Sequence, residues 1–193
     1  MDKTRIIACA MLYIAGTIGG TCVAIAYNPL PPSTQTVEIP QLTTPSPNRV
    51  WSVAWTEEDL YCLALNVYFE ARGEPIEGKY AVAEVVMNRA QHADYPNTLC
   101  GVIKDGYYHS WNPDIPVRHR CQFSWWCDGK ADDPVNGEAF EESLYVAQDV
   151  LTNDQYESIV DYALFYHAEY VQPKWAERFE LASTIGSHRF YRP

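Results

Sequence analysis

Positive charge is scarce in this chain. Lys and Arg number 14 against 25 Asp and Glu in 193 residues, a net charge of −11 and a pI near 4.8. Polyphosphate recognition needs clustered Lys and Arg, so no nucleic-acid partner is expected, nor simple electrostatic adsorption to anionic lipid. Cysteine is also sparse. Six residues are too few for a disulfide-dense scaffold, although the count is even. Several motifs are missing: Gly-x-Ser-x-Gly, the P-loop, the dinucleotide glycine pattern and His-Glu-x-x-His. No internal repeat is visible. What the chain does have is 47% hydrophobic and 13% aromatic residues, which excludes global disorder.

Three segments follow from composition. Residues 6–27 carry no charge, and 22 apolar or small residues are enough to cross a hydrocarbon core of about 30 Å as a helix. Lys3 and Arg5 precede the run and orient its N-terminus to the cytoplasm. Ala24-Ile25-Ala26 fits a signal-peptidase site, so residues 1–27 are expected to be a signal peptide or a signal-anchor helix. Residues 28–49 hold six of the thirteen prolines and six Ser or Thr, with only Glu38 and Arg49 charged. Such a linker cannot bury a core; at roughly 3 Å per residue it reaches on the order of 60 Å. Residues 50–193 contain all six Trp and are long enough for one core.

Within 50–193 the pattern is mainly helical. Thr56 followed by Glu57, Glu58 and Asp59 reads as a helix N-cap with an acidic first turn. Leu60, Leu63, Ala64, Val67 and Ala71 repeat at helical spacing until Gly73 and Pro75 stop the helix. A second helix is expected from about Glu77 to Ala90, apolar nearly all round and therefore central. A short helix should end at Ile103, and Asn136 should cap a third long one. Residues 105–135 read as irregular. Ala163–His167 and His188–Tyr191 read as short strands.

Glu70 is the most informative residue. It ends the first helix within Tyr68-Phe69-Glu70-Ala71, where burial would raise its pKa and suit it to general acid work. Spacing alone leaves a second role open, an exposed carboxylate or a pair with Arg72. Glu74 would share a face with Glu70 only on an unbroken helix, which Gly73 and Pro75 prevent. Glu84, inside the second helix, is either a second cleft acid or a satisfied buried carboxylate. Gln122-Phe123-Ser124-Trp125-Trp126, between Cys121 and Cys127, is either a sugar-binding wall or a loop packed on the core. His109, His119, His167, His188 and the four cysteines lack zinc-site spacing, so no metal or other cofactor is expected.

The run Leu63–Ala90, LALNVYFEARGEPIEGKYAVAEVVMNRA, is more specific than any of these. With YPNTLCGVI, CQFSWWCDG, YHAEYVQPKWAE and TIGSHRFYR following in order, it resembles the cell wall hydrolase family of spore-cortex-lytic enzymes across most of residues 60–192. The Cys-Gln-Phe and Cys-Asp-Gly pieces are similar to its Gram-negative and phage-type branch. Trp125, Trp126 and Glu84 depart from that branch's usual residues. The resemblance implies an α+β, lysozyme-like or transglycosylase-like domain that is mainly helical with a minor sheet, preceded here by the N-terminal hydrophobic helix. It implies cleavage of peptidoglycan between N-acetylmuramic acid and N-acetylglucosamine, with Glu70 as general acid and base. Tyr68, Gln122, Phe123, Ser124, Trp125, Tyr166 and His167 are then expected to touch substrate. Two other readings are a muramoyl-peptide amidase and a non-catalytic wall-binding module.

The four cysteines of residues 50–193, Cys62, Cys100, Cys121 and Cys127, allow three pairings. Local closure favours Cys121–Cys127, which leaves Cys62–Cys100. Export implies an oxidising compartment. The expected location is the cytoplasmic membrane facing the periplasm or wall, or the exterior after cleavage. The expected partners are peptidoglycan strands and, through the N-terminal helix, the membrane, with the enzyme a monomer.

Overall fold

The computed structural model describes residues 54–153 and 156–193; the expected export segment 1–27 and the linker 28–49 lie outside them. No helix among the described residues is long and apolar enough to cross a membrane.

Helix α1 (Glu57–Ala71) starts at a full capping box. The Asp59 amide donates to Thr56 Oγ1 at 3.1 Å, and the Thr56 amide donates to the Asp59 carboxylate at 3.2 Å. Two otherwise orphaned donors are satisfied in this way. The second Asp59 oxygen accepts from the Cys100 amide at 2.9 Å and fixes the start of α3 (Leu99–Ile103) beside α1. From Cys62 to Tyr68 every residue of α1 is buried, because α2 (Ile76–Gln91), α3 and α4 (Gly137–Thr152) all pack against it. A helix that is enclosed all round has no polar face to offer water. Leu63, Val67, Val86, Leu99, Val146 and Val150 meet in this core, each fully buried. Side chains of this kind contribute roughly 1.5–3 kcal/mol apiece.

Asn136 caps α4, its side-chain oxygen accepting from the Ala139 amide. The Tyr68 hydroxyl accepts from the amides of Val135 and Asn136, both at 3.1 Å, and holds the entry to α4 against α1. Residues 105–135 are not irregular as expected. β1 (Gly106–His109) and β2 (Asn112–Cys121) form an antiparallel hairpin, and a 3₁₀ turn follows at Ser124–Cys127. Pro113 and Pro116 hid the strand. Proline lacks an amide for the ladder and is confined to edge strands or irregular positions, and the pairing here is irregular on both sides of Tyr108–Pro116.

The second sheet is antiparallel, in the order β3 (Phe165–Ala168), β5 (His188–Arg192), β4 (Glu180–Ile185). Ala81, Val82 and Val85 of α2 pack under it against Val160 and Phe190. The observed architecture is therefore mixed helix and sheet, with more strand than the sequence pattern suggested.

Glu84 resolves as a satisfied buried carboxylate, wholly inaccessible. It accepts from the Ser158 hydroxyl, from the amide of Ile159 at 3.0 Å and from the Tyr156 hydroxyl at 3.3 Å. It thereby ties the loop before β3 to α2. Burial pushes its pKa up, with the same donors working against that rise.

Both expected disulfides are present, Cys62–Cys100 and Cys121–Cys127. They span 38 and 6 residues. Chain-entropy scaling then assigns about 4 kcal/mol to the first and about 2 kcal/mol to the second. Replacing Cys62 and Cys100 by alanine should lower the denaturant-unfolding free energy more than replacing Cys121 and Cys127. The reverse order would contradict the stapling role assigned to the longer bridge.

Candidate active site

Glu70 stands where the buried helix α1 meets the surface. Its side chain is half-buried, between two elements that arrive from different parts of the chain. On one side the Ser124–Cys127 turn packs against the last turns of α1. The Trp125 ring stacks on Phe69, with centroids 4.7 Å apart and planes 19° apart, and its indole N–H donates to Asn66 Oδ1 at 3.1 Å. On the other side β3 delivers Tyr166, whose hydroxyl donates to Glu70 Oε2 at 3.0 Å. Among the described residues, no other group bonds to the Glu70 carboxyl. The expected alternative, a pair with Arg72, does not occur: the Arg72 guanidinium lies over the Tyr68 ring at 5.1 Å.

Burial pushes the Glu70 pKa up. The Tyr166 hydrogen bond and the charge of Arg89 oppose that shift without cancelling it. Tyr166 is itself pushed well above the ordinary phenol value, by burial and then by the charge of Glu70. It therefore stays protonated and keeps donating to Oε2. Oε2 is thus taken by Tyr166, and Oε1 is the oxygen left for a proton.

Three residues expected to touch substrate are instead core. Tyr68 is 1% exposed, Phe123 3% and Trp125 8%. Their rings fill the space around α1, which is where large apolar surfaces gain most. They support the site from behind. Gln122 and Ser124 are exposed. Gln122 opens onto a depression of about 550 Å³, lined also by Tyr107, His119 and Arg120, which Glu70 does not line. Strand alternation separates Tyr166 from His167. Tyr166 faces the helices and Glu70. His167 lies on the opposite face, stacked on Tyr191 at 5.3 Å and edge-on to Trp175 at 5.6 Å. Its Nε2 pairs with the Tyr191 hydroxyl at 3.0 Å. The structure therefore does not bring His167 to Glu70.

Glu74 has a fixed partner that sequence reasoning missed. Its carboxylate accepts from the Ser187 amide at 2.7 Å and from the Ser187 hydroxyl, and its pKa is lowered despite the burial that opposes this. Gly186 sits at φ +57°, and a Cβ there would collide with the Glu74 carboxylate. The clamp joins the α1–α2 turn to the β4–β5 turn, and so fixes the helix that carries Glu70 against the sheet that carries Tyr166. Arg89, 6% exposed, was also missed. Its one signal was a charge, like those of Lys79 and Glu84, in a helix with a largely apolar run. Among the described residues the only close metal-type grouping is Glu58 with Cys62 and Cys100, and that disulfide leaves it no thiolate.

The profile of the cell wall hydrolase family matches residues 73–191, a span that begins just after Glu70. The spore cortex-lytic enzyme of Oceanobacillus iheyensis is 49% identical over 49 residues, which is 25% of this chain and 18% of that protein. The enzyme of the same name from Bacillus subtilis is 47% identical over 49 residues, 25% of this chain and 16% of that protein. The matched segment is thus under a fifth of each of these relatives. The catalytic domain of the germination-specific lytic transglycosylase SleB from Bacillus anthracis superposes with a TM-score of 0.54 at 27% identity. It covers 72% of this chain and 97% of that domain. The Bacillus cereus SleB catalytic domain gives a TM-score of 0.51 at 26% identity, covering 78% of this chain and all of that one.

The raised Glu70 pKa has a consequence for stability. The folded state holds this proton more tightly than the unfolded chain does. The contribution is thus fully present below the unfolded value of 4.5 and is lost as pH rises through the folded value. Glu70→Gln removes the effect, so its stability relative to wild type should grow as pH rises above 4.5 and then level off. Urea unfolding of both proteins across pH 4–8 checks this. Parallel pH curves would contradict the burial of Glu70.

Proposed function

The chain belongs to the cell wall hydrolase family, and from that premise we propose that it is a peptidoglycan-cleaving lytic transglycosylase with Glu70 as its single acid and base. The observation that carries this reading is a protonatable carboxyl whose neighbouring acids are committed elsewhere. Glu74 is held by Ser187, and Glu84 by Ser158 and the Ile159 amide. Hydrolysis by water ordinarily uses a second carboxylate across the scissile bond. An intramolecular nucleophile needs none.

Glu70 Oε1 donates its proton to the glycosidic oxygen between N-acetylmuramic acid and N-acetylglucosamine, and that C–O bond breaks. The oxocarbenium-like carbon of the muramic acid is then attacked by the same sugar's 6-hydroxyl. Glu70, now a carboxylate, takes the hydroxyl proton, and a 1,6-anhydro ring closes. One proton leaves Glu70 and one returns, so the enzyme is regenerated without water. The hydroxyl is already attached close to the reacting carbon, which supplies the proximity a bound water lacks. Tyr166 keeps Oε2 occupied and so leaves Oε1 for the sugar. Ser124, exposed at the start of the 3₁₀ turn that packs beside α1, is the substrate-facing polar group on that side.

Further parts of this reading rest on sequence. The Cys121-Gln122-Phe123 and Cys127-Asp128-Gly129 pieces resemble the Gram-negative and phage-type branch, which supports reading the chain as one of its members. The uncharged run 6–27 and the proline-rich 28–49 suit an enzyme held at the cytoplasmic membrane and reaching into the wall as a monomer.

Glu70→Gln is nearly isosteric but cannot deliver a proton. It should fold and lose about 10²–10⁴-fold in the rate at which purified peptidoglycan sacculi clear. A folded Glu70→Gln protein that clears sacculi at the wild-type rate would overturn the assignment.

A further inference from the structure

Arg89 is a buried cation, 6% exposed. Among the described residues it forms no ion pair, and its Nη1 is buried with no hydrogen-bond partner. Its Nε donates to the carbonyl of Leu164 at 2.8 Å, and its guanidinium lies 5.3 Å from the centroids of both the Tyr95 and Phe123 rings. An uncompensated buried charge is costly and calls for a reason.

The other enclosed carboxylates do not supply one. Asp59 is used by Thr56 and Cys100, Glu84 by the 156–160 loop, and Glu74 by Ser187. Glu70 has a single partner, the Tyr166 hydroxyl. Leu164, on which Arg89 is anchored, precedes Tyr166 by two residues on the same run of chain. The cation therefore sits behind the strand that presents the hydroxyl to Glu70. Tyr166 of β3 is the group that touches Glu70, with His188 of β5 edge-on behind the Tyr166 ring, while the Ser124–Cys127 turn stacks Trp125 on the neighbouring Phe69. Arg89 acts electrostatically on both Glu70 and Tyr166.

We infer that Arg89 is a positioning residue, the internal counter-charge that lets Glu70 exist as a carboxylate between its acid and base steps. This rests on the reading of Glu70 as acid and base given above. Direct contact between the two would keep Glu70 ionised and useless as an acid. Diverting the guanidinium onto a carbonyl and two aromatic faces weakens its pull, so Glu70 can hold a proton at rest. When the proton leaves for the glycosidic oxygen, the new charge finds a fixed cation in a low-dielectric surround, where such interactions are strong.

The test is made on the full-length chain labelled with 13Cδ-glutamate and 15N-arginine, with Glu70→Gln to assign the Glu70 signal. In wild type, the Arg89 guanidinium resonances should move with the same pH midpoint as the Glu70 carboxyl, and they should stay flat in Glu70→Gln. In Arg89→Gln the Glu70 midpoint should rise by about one pH unit, a tenfold change in its ionisation constant. Arg89→Lys should restore most of that shift. The alkaline limb of kcat/KM on peptidoglycan should follow the midpoint. Arg89 resonances that ignore the Glu70 titration, or an unchanged Glu70 midpoint in folded Arg89→Gln, would overturn the inference. The wild-type titration decides the matter even if the Arg89 variants do not fold. Neither titration needs turnover, so an enzyme inactive on peptidoglycan would sink the proposed function and leave this coupling still measured.

Discussion

Everything in this domain depends on one helix being sealed on every side except its end. From Cys62 to Tyr68, α1 has no accessible face, and with Phe69 and Glu70 its side chains reach the surface again. A carboxyl placed there is neither in water nor in oil. Its pKa rises because the surrounding apolar mass disfavours the charge, and the two groups that resist the rise come from other elements, Tyr166 from β3 and Arg89 from α2. The chemistry we propose is a consequence of that packing. A looser core would wet Glu70 and return it to an ordinary surface acid.

The remaining carboxylates show how such a site is kept in register. Glu74 and Glu84 could each be mistaken for a catalytic partner on sequence spacing. Both hold backbone. Glu84 pins the segment leading to β3 onto α2, and Glu74 pins the β4–β5 turn onto the α1–α2 turn. These two clamps tie the sheet and the segment leading into it to the helices, and the Tyr166 hydroxyl reaches Glu70 across the same junction. An acid whose hydrogen bond crosses between two layers is positioned only as well as the layers are.

Legibility in the sequence followed the range of the interaction. Thr56 and Asn136 as caps, the all-round apolar pattern of α2, and the stop after Ala71 are local signals, and each element lies within a residue or two of where they place it. Glu70 was found through its motif. Strands held by distant pairing were harder. The hairpin was masked by Pro113 and Pro116, and β4 by its short, half-polar run Glu180–Ile185. The aromatic segment around Trp125 was read equally as wall and as core, because ring density looks the same from either side. The Glu74–Ser187 contact joins residues 113 apart, and no local pattern announces it. His167 and Tyr166 are neighbours in sequence, and the alternation that sends them to opposite faces could have been applied to the strand at once.

The central claim is that one carboxyl performs both proton transfers and that the sugar's own hydroxyl is the nucleophile. Mass spectrometry of the muropeptides released from purified sacculi by the full-length protein tests it most directly. The account predicts glycan products that end in 1,6-anhydro-N-acetylmuramic acid. Reducing N-acetylmuramic acid ends would place water in the nucleophile's role, and free stem peptides would move the scissile bond off the glycan altogether; either would contradict it.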